Sequence, residues 1–335
     1  MSMTGTHPAP RTRPTRDRLI LGGFVVLLLA GLAGLAGLIA GTGWDDIKAQ
    51  IARIEGWQIA VLLGLSLVNY LLRALRWHLF VRRLGLPTAL ARNILHFIAG
   101  FAMSVTPGRV GELVRMRWLR RETGWSFDRT APLALIDRAS DLAAMGVLLA
   151  IALSLSATGI AGGLPVTLLA LVAAFVVTRP ALLAGLATAG HRTTGLAPRL
   201  FARVRRAARS LARFTNPGTV TAAMGLGLIG WLAEGVAFHL LLVWMGHDIG
   251  LATATAIFLF ATLAGGLTGA PGGVGGAEAA MVALLSLQGV PLAVSVPATA
   301  IIRLTTLWFA IALGLIAFPV AERSSRKGAH ALENR

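Results

Sequence analysis

The chain predicts an all-α polytopic membrane protein, with about six transmembrane helices plus two re-entrant helical hairpins in an inverted repeat. Three observations carry this. Of 335 residues, 56% are hydrophobic and 13% charged, and several apolar runs reach the ~20 residues a helix needs to cross about 30 Å of hydrocarbon. The 31 Lys+Arg, only two of them lysines (Lys48 and Lys327), cluster in alternate loops, as the positive-inside rule requires. A Pro-Gly-x-Val-Gly phrase also occurs twice. It reads Thr106-Pro107-Gly108-Arg109-Val110-Gly111-Glu112, then Ala270-Pro271-Gly272-Gly273-Val274-Gly275-Gly276 with Glu278 beyond. Downstream of each, a proline is followed six residues later by an arginine: Pro132 and Arg138, Pro297 and Arg303.

Residues 1–18 form a basic tail (Arg11, Arg13, Arg16, Arg18), expected to be disordered and cytoplasmic. Leu19 to Ala40 is the first span; the run is too long for a signal-peptide core, the competing reading. A mixed-charge loop, 41–57, lies outside. The second span, Ile59 to Trp77, ends in Arg73, Arg76, Arg82 and Arg83, placed at the inner surface where long side chains snorkel to headgroups. The apolar stretch Ile94 to Val105 is too short to cross and stops at Pro107-Gly108, so 92–121 reads as a hairpin entering from inside. Broken backbone at that depth needs protein or a wet cavity around it. Pro132 to Ser156 and Pro165 to Leu186 are the third and fourth spans. Basic residues 190–215 suit an amphipathic helix on the inner leaflet.

Val220 to Met245 is the fifth span. Leu251 to Leu287 holds no Lys or Arg and is one long helix, two spans or a second hairpin. Charge decides between these. Arg323, Arg326 and Lys327 after the last span, Val296 to Phe318, belong inside, so the Gly-rich segment must start and finish outside. Three spans then separate the two phrases, an odd number, and the repeats are inverted. The organisation is a tail (1–18), one membrane domain (19–320, with repeat halves about 59–157 and 220–318) and a tail (321–335). Both termini are assigned to the cytoplasmic side of a bacterial inner membrane. The longest stretch outside the membrane is about 30 residues, too short for its own core. That argues against an appended catalytic module.

Several function classes fall away. Without cysteine there are no disulfides, thiolate catalysis or Cys metal sites. Seven scattered histidines lack metal-ligand spacing, and neither metal nor cofactor is expected. The net charge of +17 follows from the inner loops and from attraction to anionic headgroups, so no nucleic-acid partner is inferred. The glycine run lacks the Gly-Lys-Ser/Thr ending of a phosphate loop.

The chemistry concentrates at the two hairpin tips. A helix starts after Gly111, with Glu112 and Arg115 in its first turn, and another after Gly276, with Glu278 in its first turn. Helix N-termini offer unpaired N–H groups and about half a positive charge, and glycines allow close approach. Two such ends entering from opposite faces make an anion site suited to a lipid phosphate. The structural alternative is tight turning, with the Glu side chains as dipole partners. Asp137 and Asp141 share a helix face within reach of Arg138, as a site or as an inner-surface ion network. Arg303, inside an apolar helix, costs about 2.5–3.5 kcal/mol and needs Glu278, Glu234 or a phosphate as partner. Arg73 and Arg76 flank the inner mouth as headgroup collectors or anchors. Glu234 lies mid-span.

These residues resemble the lysylphosphatidylglycerol synthase transmembrane region. The likeness rests on Arg73-x-x-Arg76-Trp77, on the first phrase extended to Arg115, on Asp137-Arg138-x-x-Asp141 and on the second phrase through Glu278, over about residues 19 to 320. The resemblance implies a lipid flippase. The soluble aminoacyl-transferase domain is absent, so lysine transfer is not expected of this chain and the cargo is left open among anionic, aminoacylated, polyprenyl and hopanoid-type lipids. On this reading Gly108, Gly111, Glu112, Gly272, Gly275 and Glu278 form the tips. Arg109, Arg115, Arg138 and Arg303 hold the phosphate, with Asp137, Asp141 and Glu234 balancing charge. Arg303→Ala is then expected to abolish transport in a folded protein. An integral-membrane enzyme and a non-transporting biosynthetic scaffold are the alternatives. The partners are membrane lipids, with a homo-oligomer or an enzyme partner left open.

Overall fold

A computed structural model describes residues 52–104, 106, 113–156, 163–179 and 211–333, together with positions 45, 48, 49, 182, 185, 188 and 189. The expected first span, the first hairpin tip at 107–112 and most of the basic stretch 190–215 lie outside the described residues. Among the described residues the elements are helical, and four helices are long and apolar enough to cross a membrane: Gly56–Leu84, Phe127–Leu155, Pro217–Trp244 and Leu292–Lys327.

In chain order the helices are α1 (Gly56–Leu84), α2 (Leu90–Gly100), α3 (Val114–Thr123), α4 (Phe127–Leu155), α5 (Gly163–Thr178), α6 (Pro217–Trp244), α7 (Leu251–Leu267), α8 (Gly276–Leu287), α9 (Leu292–Arg303) and α10 (Phe309–Glu333). Local chemistry sets several ends. Gln58 accepts from the Glu55 backbone N–H (2.8 Å) at the start of α1, a capping box that satisfies an otherwise orphan donor. Asn216 caps α6 ahead of Pro217, where a missing N–H is no loss.

The order long helix, short-helix hairpin, long helix occurs twice, as α1–α2/α3–α4 and α6–α7/α8–α9/α10. The arms of the second hairpin have 17 and 12 residues, about 25 and 18 Å at 1.5 Å per residue. Neither crosses ~30 Å of hydrocarbon alone. A short 3-10 turn at Pro271–Gly273 reverses the chain between them. In the first hairpin the His96 and Trp118 rings lie 5.4 Å apart, so α3 folds back along α2.

The two halves run in opposite directions. Trp57 at the start of α1 meets Trp244 at the end of α6, with ring centroids 5.3 Å apart, and further along Ser66 and Asn69 of α1 meet Glu234 of α6. The first helices of the two repeats are therefore antiparallel neighbours, as inversion demands. Each hairpin packs against the second long helix of the other half. The first hairpin lies on α10, where a Cβ at Gly314 would run into the backbone of Phe101 and Ala102. The second lies on α4, where Ser156 and Thr253 hydroxyls are 3.0 Å apart.

Small residues allow this. Apolar burial drives helix association little in lipid, so close packing and polar contacts decide. A Cβ at Gly227 would stand 2.7 Å from the Ala144 Cβ and 3.2 Å from Arg76 Nη1, and one at Gly235 would stand 2.5 Å from Thr255 Oγ1. Outward positions such as Leu155, Ile229, Leu267, Leu287 and Ile316 are exposed apolar side chains, as a lipid-facing surface requires.

The last span is irregular. Pro297 sits inside α9, and Leu304–Trp308 winds as a π-helix before α10. Thr305 and Thr306 hydroxyls donate to the Ile301 and Ile302 carbonyls, and Tyr70 OH donates to the Thr306 carbonyl. Side-chain hydroxyls thus satisfy backbone groups that a regular helix would pair. The expected span ended at Phe318, yet the helix continues to Glu333, because Glu322 ties it to α3. The Glu322 carboxylate accepts from Arg117 (2.7 Å), Trp118 Nε1 (2.9 Å) and Arg121 (2.6 Å).

Beside it, Arg92 donates to Glu122 at 2.8 Å, and His96 Nε2 lies 3.3 Å from the same oxygen without hydrogen-bond alignment. Burial pushes the Glu122 carboxyl up, but His96 and Arg92 outweigh it and hold it below the usual carboxylate range. Such a group stabilises the fold above its unfolded value near ~4.3 and loses that contribution as pH falls through the lowered folded value.

Two predictions follow from this packing. In detergent thermal melts, Gly227→Val is expected to cost about 1–3 kcal/mol by overpacking, whereas Gly225→Ala, with open space at its Cβ, costs nothing measurable. Glu122→Gln is expected to lower stability by about 1 kcal/mol or less at pH 7, and the gap from wild type should close as the melts are taken below pH ~4.

Candidate functional site

On α1 the polar residues Ser66, Asn69, Arg73 and Arg76 recur at spacings of three, four and three, which puts them on one helical face. That face meets α6 and α4. Arg76 Nη2 donates to Asp137 Oδ1 (3.0 Å) and Asp141 Oδ1 (2.6 Å). Arg73 Nη2 donates to Asp141 Oδ2 at 2.6 Å. Trp231 Nε1, from α6, donates to Asp141 Oδ1 at 3.3 Å. Arg115 Nη1, from α3, reaches Asp137 Oδ2 at 3.4 Å. Aromatic faces enclose the guanidiniums: Arg73 lies 5.1 Å from the Trp231 ring and Arg115 lies 4.5 Å from Phe97, within cation–π range.

This corrects the placement of Arg73 and Arg76 at an inner mouth. Both are buried, Arg76 completely. The helix does not stop at Trp77 but continues to Leu84, which carries the two arginines away from the surface. Asp137 and Asp141, read from sequence as a site or an inner-surface ion network, likewise lie well inside their helix. Helix α4 starts at Phe127, so Asp137 stands ten residues in, about 15 Å at 1.5 Å per residue. Arginines and aspartates at matching depth neutralise one another, which is why neither set needs to snorkel.

The second group centres on Arg303. Its Nε donates to Glu278 Oε1 (2.6 Å) and its Nη2 to the Gly272 carbonyl (2.8 Å). The other Glu278 oxygen accepts from the Gly275 N–H at 2.7 Å. Of the partners proposed for Arg303, the structure pairs it with Glu278. The N-terminal end of α8, read from sequence as half of an anion site, holds this chain's own carboxylate. Gly272, Gly273 and Gly275 have φ of 61°, 69° and 86°, a left-handed region that glycine enters freely. A Cβ at Gly272 would in addition stand 2.9 Å from Leu307.

A cavity of about 400 Å³ lies between these groups. Arg138, Asp141 and Arg303 are its charged lining residues, and Gly272 and Gly273 also line it. Leu142, Met145, Leu169, Leu263 and Leu267 line its apolar part. Arg138 is 38% exposed in its side chain and lies 4.0 Å from Asp141. A second cavity of about 50 Å³ adjoins it, sharing Trp231, Thr262 and Arg303 and reaching Tyr70, Arg73 and Glu234.

Arg138 and Arg303, six residues after their prolines, thus come to one cavity, while Arg115 joins the Asp137 network instead. Gly108, Arg109, Gly111 and Glu112 lie outside the described residues. Glu234 accepts from Asn69 (2.9 Å) and Ser66 (3.2 Å). Sequence reasoning passed over Ser66, Asn69, Tyr70 and Trp231. The helical spacing of Ser66 and Asn69 with Arg73 and Arg76 was a usable signal. Nothing local marked Trp231. Among the described residues no group of three metal-ligating side chains occurs.

A buried ion network differs from a surface pair in its response to mutation. Asp141→Asn is expected to cost about 3–5 kcal/mol, because two buried guanidiniums lose their shared charged partner. Arg326→Gln, whose side chain is 67% exposed, should cost under about 1 kcal/mol. Melting temperatures of the two purified variants check the contrast.

The profile of the family described as "Lysylphosphatidylglycerol synthase TM region" matches residues 19–314. A "UPF0104 membrane protein" of Methanothermobacter thermautotrophicus (strain Delta H) is 25% identical over 324 residues, covering 88% of this chain and 94% of the relative. A further match, also to a "UPF0104 membrane protein" of that organism, is 32% identical over 108 residues, covering 32% of this chain and 31% of the relative.

Proposed function

Since the chain belongs to the lysylphosphatidylglycerol synthase transmembrane-region family, we propose that it is a flippase that moves lipids between the leaflets of the inner membrane. Both termini are cytoplasmic in this reading, and the chain carries out no chemistry on its cargo. The observation that carries it is the amphipathic cavity. Its charged lining is Arg138, Asp141 and Arg303, and most of the remaining lining is apolar, including Leu142, Met145, Leu169, Leu263 and Leu267. A lipid has the same polarity: a charged headgroup for the arginine end and acyl or prenyl carbon for the wall. Guanidinium forks suit phosphate oxygens, so an anionic headgroup is the favoured cargo. The antiparallel repeat supplies the motion, since rocking one half against the other exposes a midplane site to each face in turn. In this scheme Gly108, Arg109, Gly111 and Glu112 complete the headgroup site from the opposite tip.

Arg303→Ala is an ambiguous test of this scheme. It leaves Glu278 buried without its guanidinium, a loss of about 3–5 kcal/mol. Arg138, partly exposed within the cavity, is the better probe. In proteoliposomes carrying labelled phosphatidylglycerol, an aminoacylated lipid and a polyprenyl phosphate, wild type is expected to move at least one class. Arg138→Gln, eluting as folded protein, should move it at least about tenfold more slowly, the loss of ~1.4 kcal/mol of headgroup binding. No movement of any of the three by folded wild-type protein would replace this function with the enzyme or scaffold alternative.

A further inference from the structure

Four carboxylates are buried in the membrane core among the described residues: Asp137, Asp141, Glu234 and Glu278. Three of them touch guanidinium nitrogens at 3.4 Å or less. Glu234, only 2% exposed, is the exception. Its partners are the neutral donors Ser66 and Asn69, and no Lys, Arg or His nitrogen of the described residues lies within 4.0 Å. Burying an ionised carboxylate without a cation in contact is expensive. A residue kept in that position inside a membrane helix is suspect as a functional group.

Its surroundings show what it senses. The small cavity beside Glu234 is walled by Asn69, Tyr70, Arg73, Trp231, Arg303 and Thr306, and at about 50 Å³ it has room for water, which needs ~10–15 Å³. From α1 the titratable and charged groups facing this void are Tyr70 and Arg73. From α4 there is Asp141, behind Trp231, to which it is bonded. Arg303 lines it from α9, its Nε bonded to Glu278 of α8. Helix α7 contributes no ionisable side chain. On α6 itself His239 lies beyond the next turn, 3.8 Å from Asp248. Arg73 and Arg303 are each bonded to another carboxylate, and Arg303 lines both the small void and the large cavity.

We propose that Glu234 is a proton-binding site coupled to the lipid site, so that a headgroup phosphate and a proton are carried together. This rests on the flippase reading and supplies its energy source. The physical basis is repulsion at low dielectric. A phosphate drawn to Arg303 and Arg73 comes close to the Glu234 carboxylate, and two like charges in a desolvated pocket repel strongly. A proton from cavity water, forming an O–H bond at a Glu234 carboxyl oxygen, removes that repulsion. When the site opens to the other face and the headgroup leaves, the O–H bond breaks and the proton returns to water. Coupling of two ligands is reciprocal, so a pH gradient drives the lipid and a lipid gradient drives protons.

The test uses proteoliposomes with the three labelled lipids named above and the membrane potential clamped. Two quantities are read: exchange between leaflets without a gradient, and the leaflet ratio under a gradient of one pH unit. Wild type is expected to shift the ratio of the transported lipid about tenfold, one proton per lipid, and to change the pH of a dye-filled lumen as lipid moves. Glu234→Gln, which preserves the side-chain shape and an acceptor for Asn69, should equilibrate lipid more slowly than wild type and to a ratio near one. A wild-type ratio indifferent to the gradient, or a Glu234→Gln ratio that follows it, overturns the coupling and leaves the flippase standing. Absence of all lipid exchange in wild type overturns both. If Glu234→Gln does not fold, the lumenal pH change in wild type decides alone: one proton per lipid supports the coupling and none refutes it.

Discussion

The carboxylate of Asp141 joins three long helices at one point. It takes a guanidinium from Arg73 and another from Arg76 on α1, an indole N–H from Trp231 on α6, and is itself carried by α4. In water such a knot would add little, because the solvent offers the same hydrogen bonds. In hydrocarbon the helices gain little from apolar contact, and charges that find no partner are costly. The register of α1 against α4 and α6 is therefore set by polar pairing. The glycines at 227 and 230 let the backbones come near enough for it, since side chains there would meet Ala144, Arg76 and Asn69.

With that register set, the rest of the site falls into place along the same faces. Moving along α1 from Arg76 toward the start of the helix, Asn69 and Ser66 meet Glu234, and Tyr70 reaches the carbonyl of Thr306 in the π-helical segment. That segment immediately follows Arg303 and fixes how the arginine approaches the second hairpin. The Asp141 and Glu278 groups are thus linked through α1, with the small cavity between them. A change in one has a mechanical route to the other.

The two halves use one plan differently at the level of side chains. Both have a proline six residues before an arginine that lines the large cavity. Arg303 is bonded to Glu278 and the Gly272 carbonyl, and Arg138 lies 4.0 Å from Asp141. At the offsets that Asp137 and Asp141 hold from Arg138, the second repeat has Ile302 and Thr306 relative to Arg303. Among the described residues the first repeat carries the Asp137–Asp141 ion network, and the second carries the Glu278–Arg303 clamp at its tip.

Much of this was legible in the residue order. The apolar runs marked the spans, the repeated Pro-Gly phrase marked the hairpins, and the count of spans between them implied the inversion that the Trp57–Trp244 and Glu234–Asn69 contacts display. These signals are local, and the physics behind them is local too: hydrocarbon thickness, the missing N–H of proline, the left-handed freedom of glycine. Tertiary structure alone decided where the charges go. Sequence placed Arg73 and Arg76 at a surface because nothing within α1 neutralises them; their partners lie more than sixty residues away on α4. Arg303 kept three candidate partners until the hairpin brought Glu278 to it. Trp231 and the pairing of Glu234 with the neutral donors Ser66 and Asn69 left no trace in the residue order, since which donors face a carboxylate is a property of the packed helices. An apolar run reports its environment by itself, whereas a buried charge is defined by what faces it.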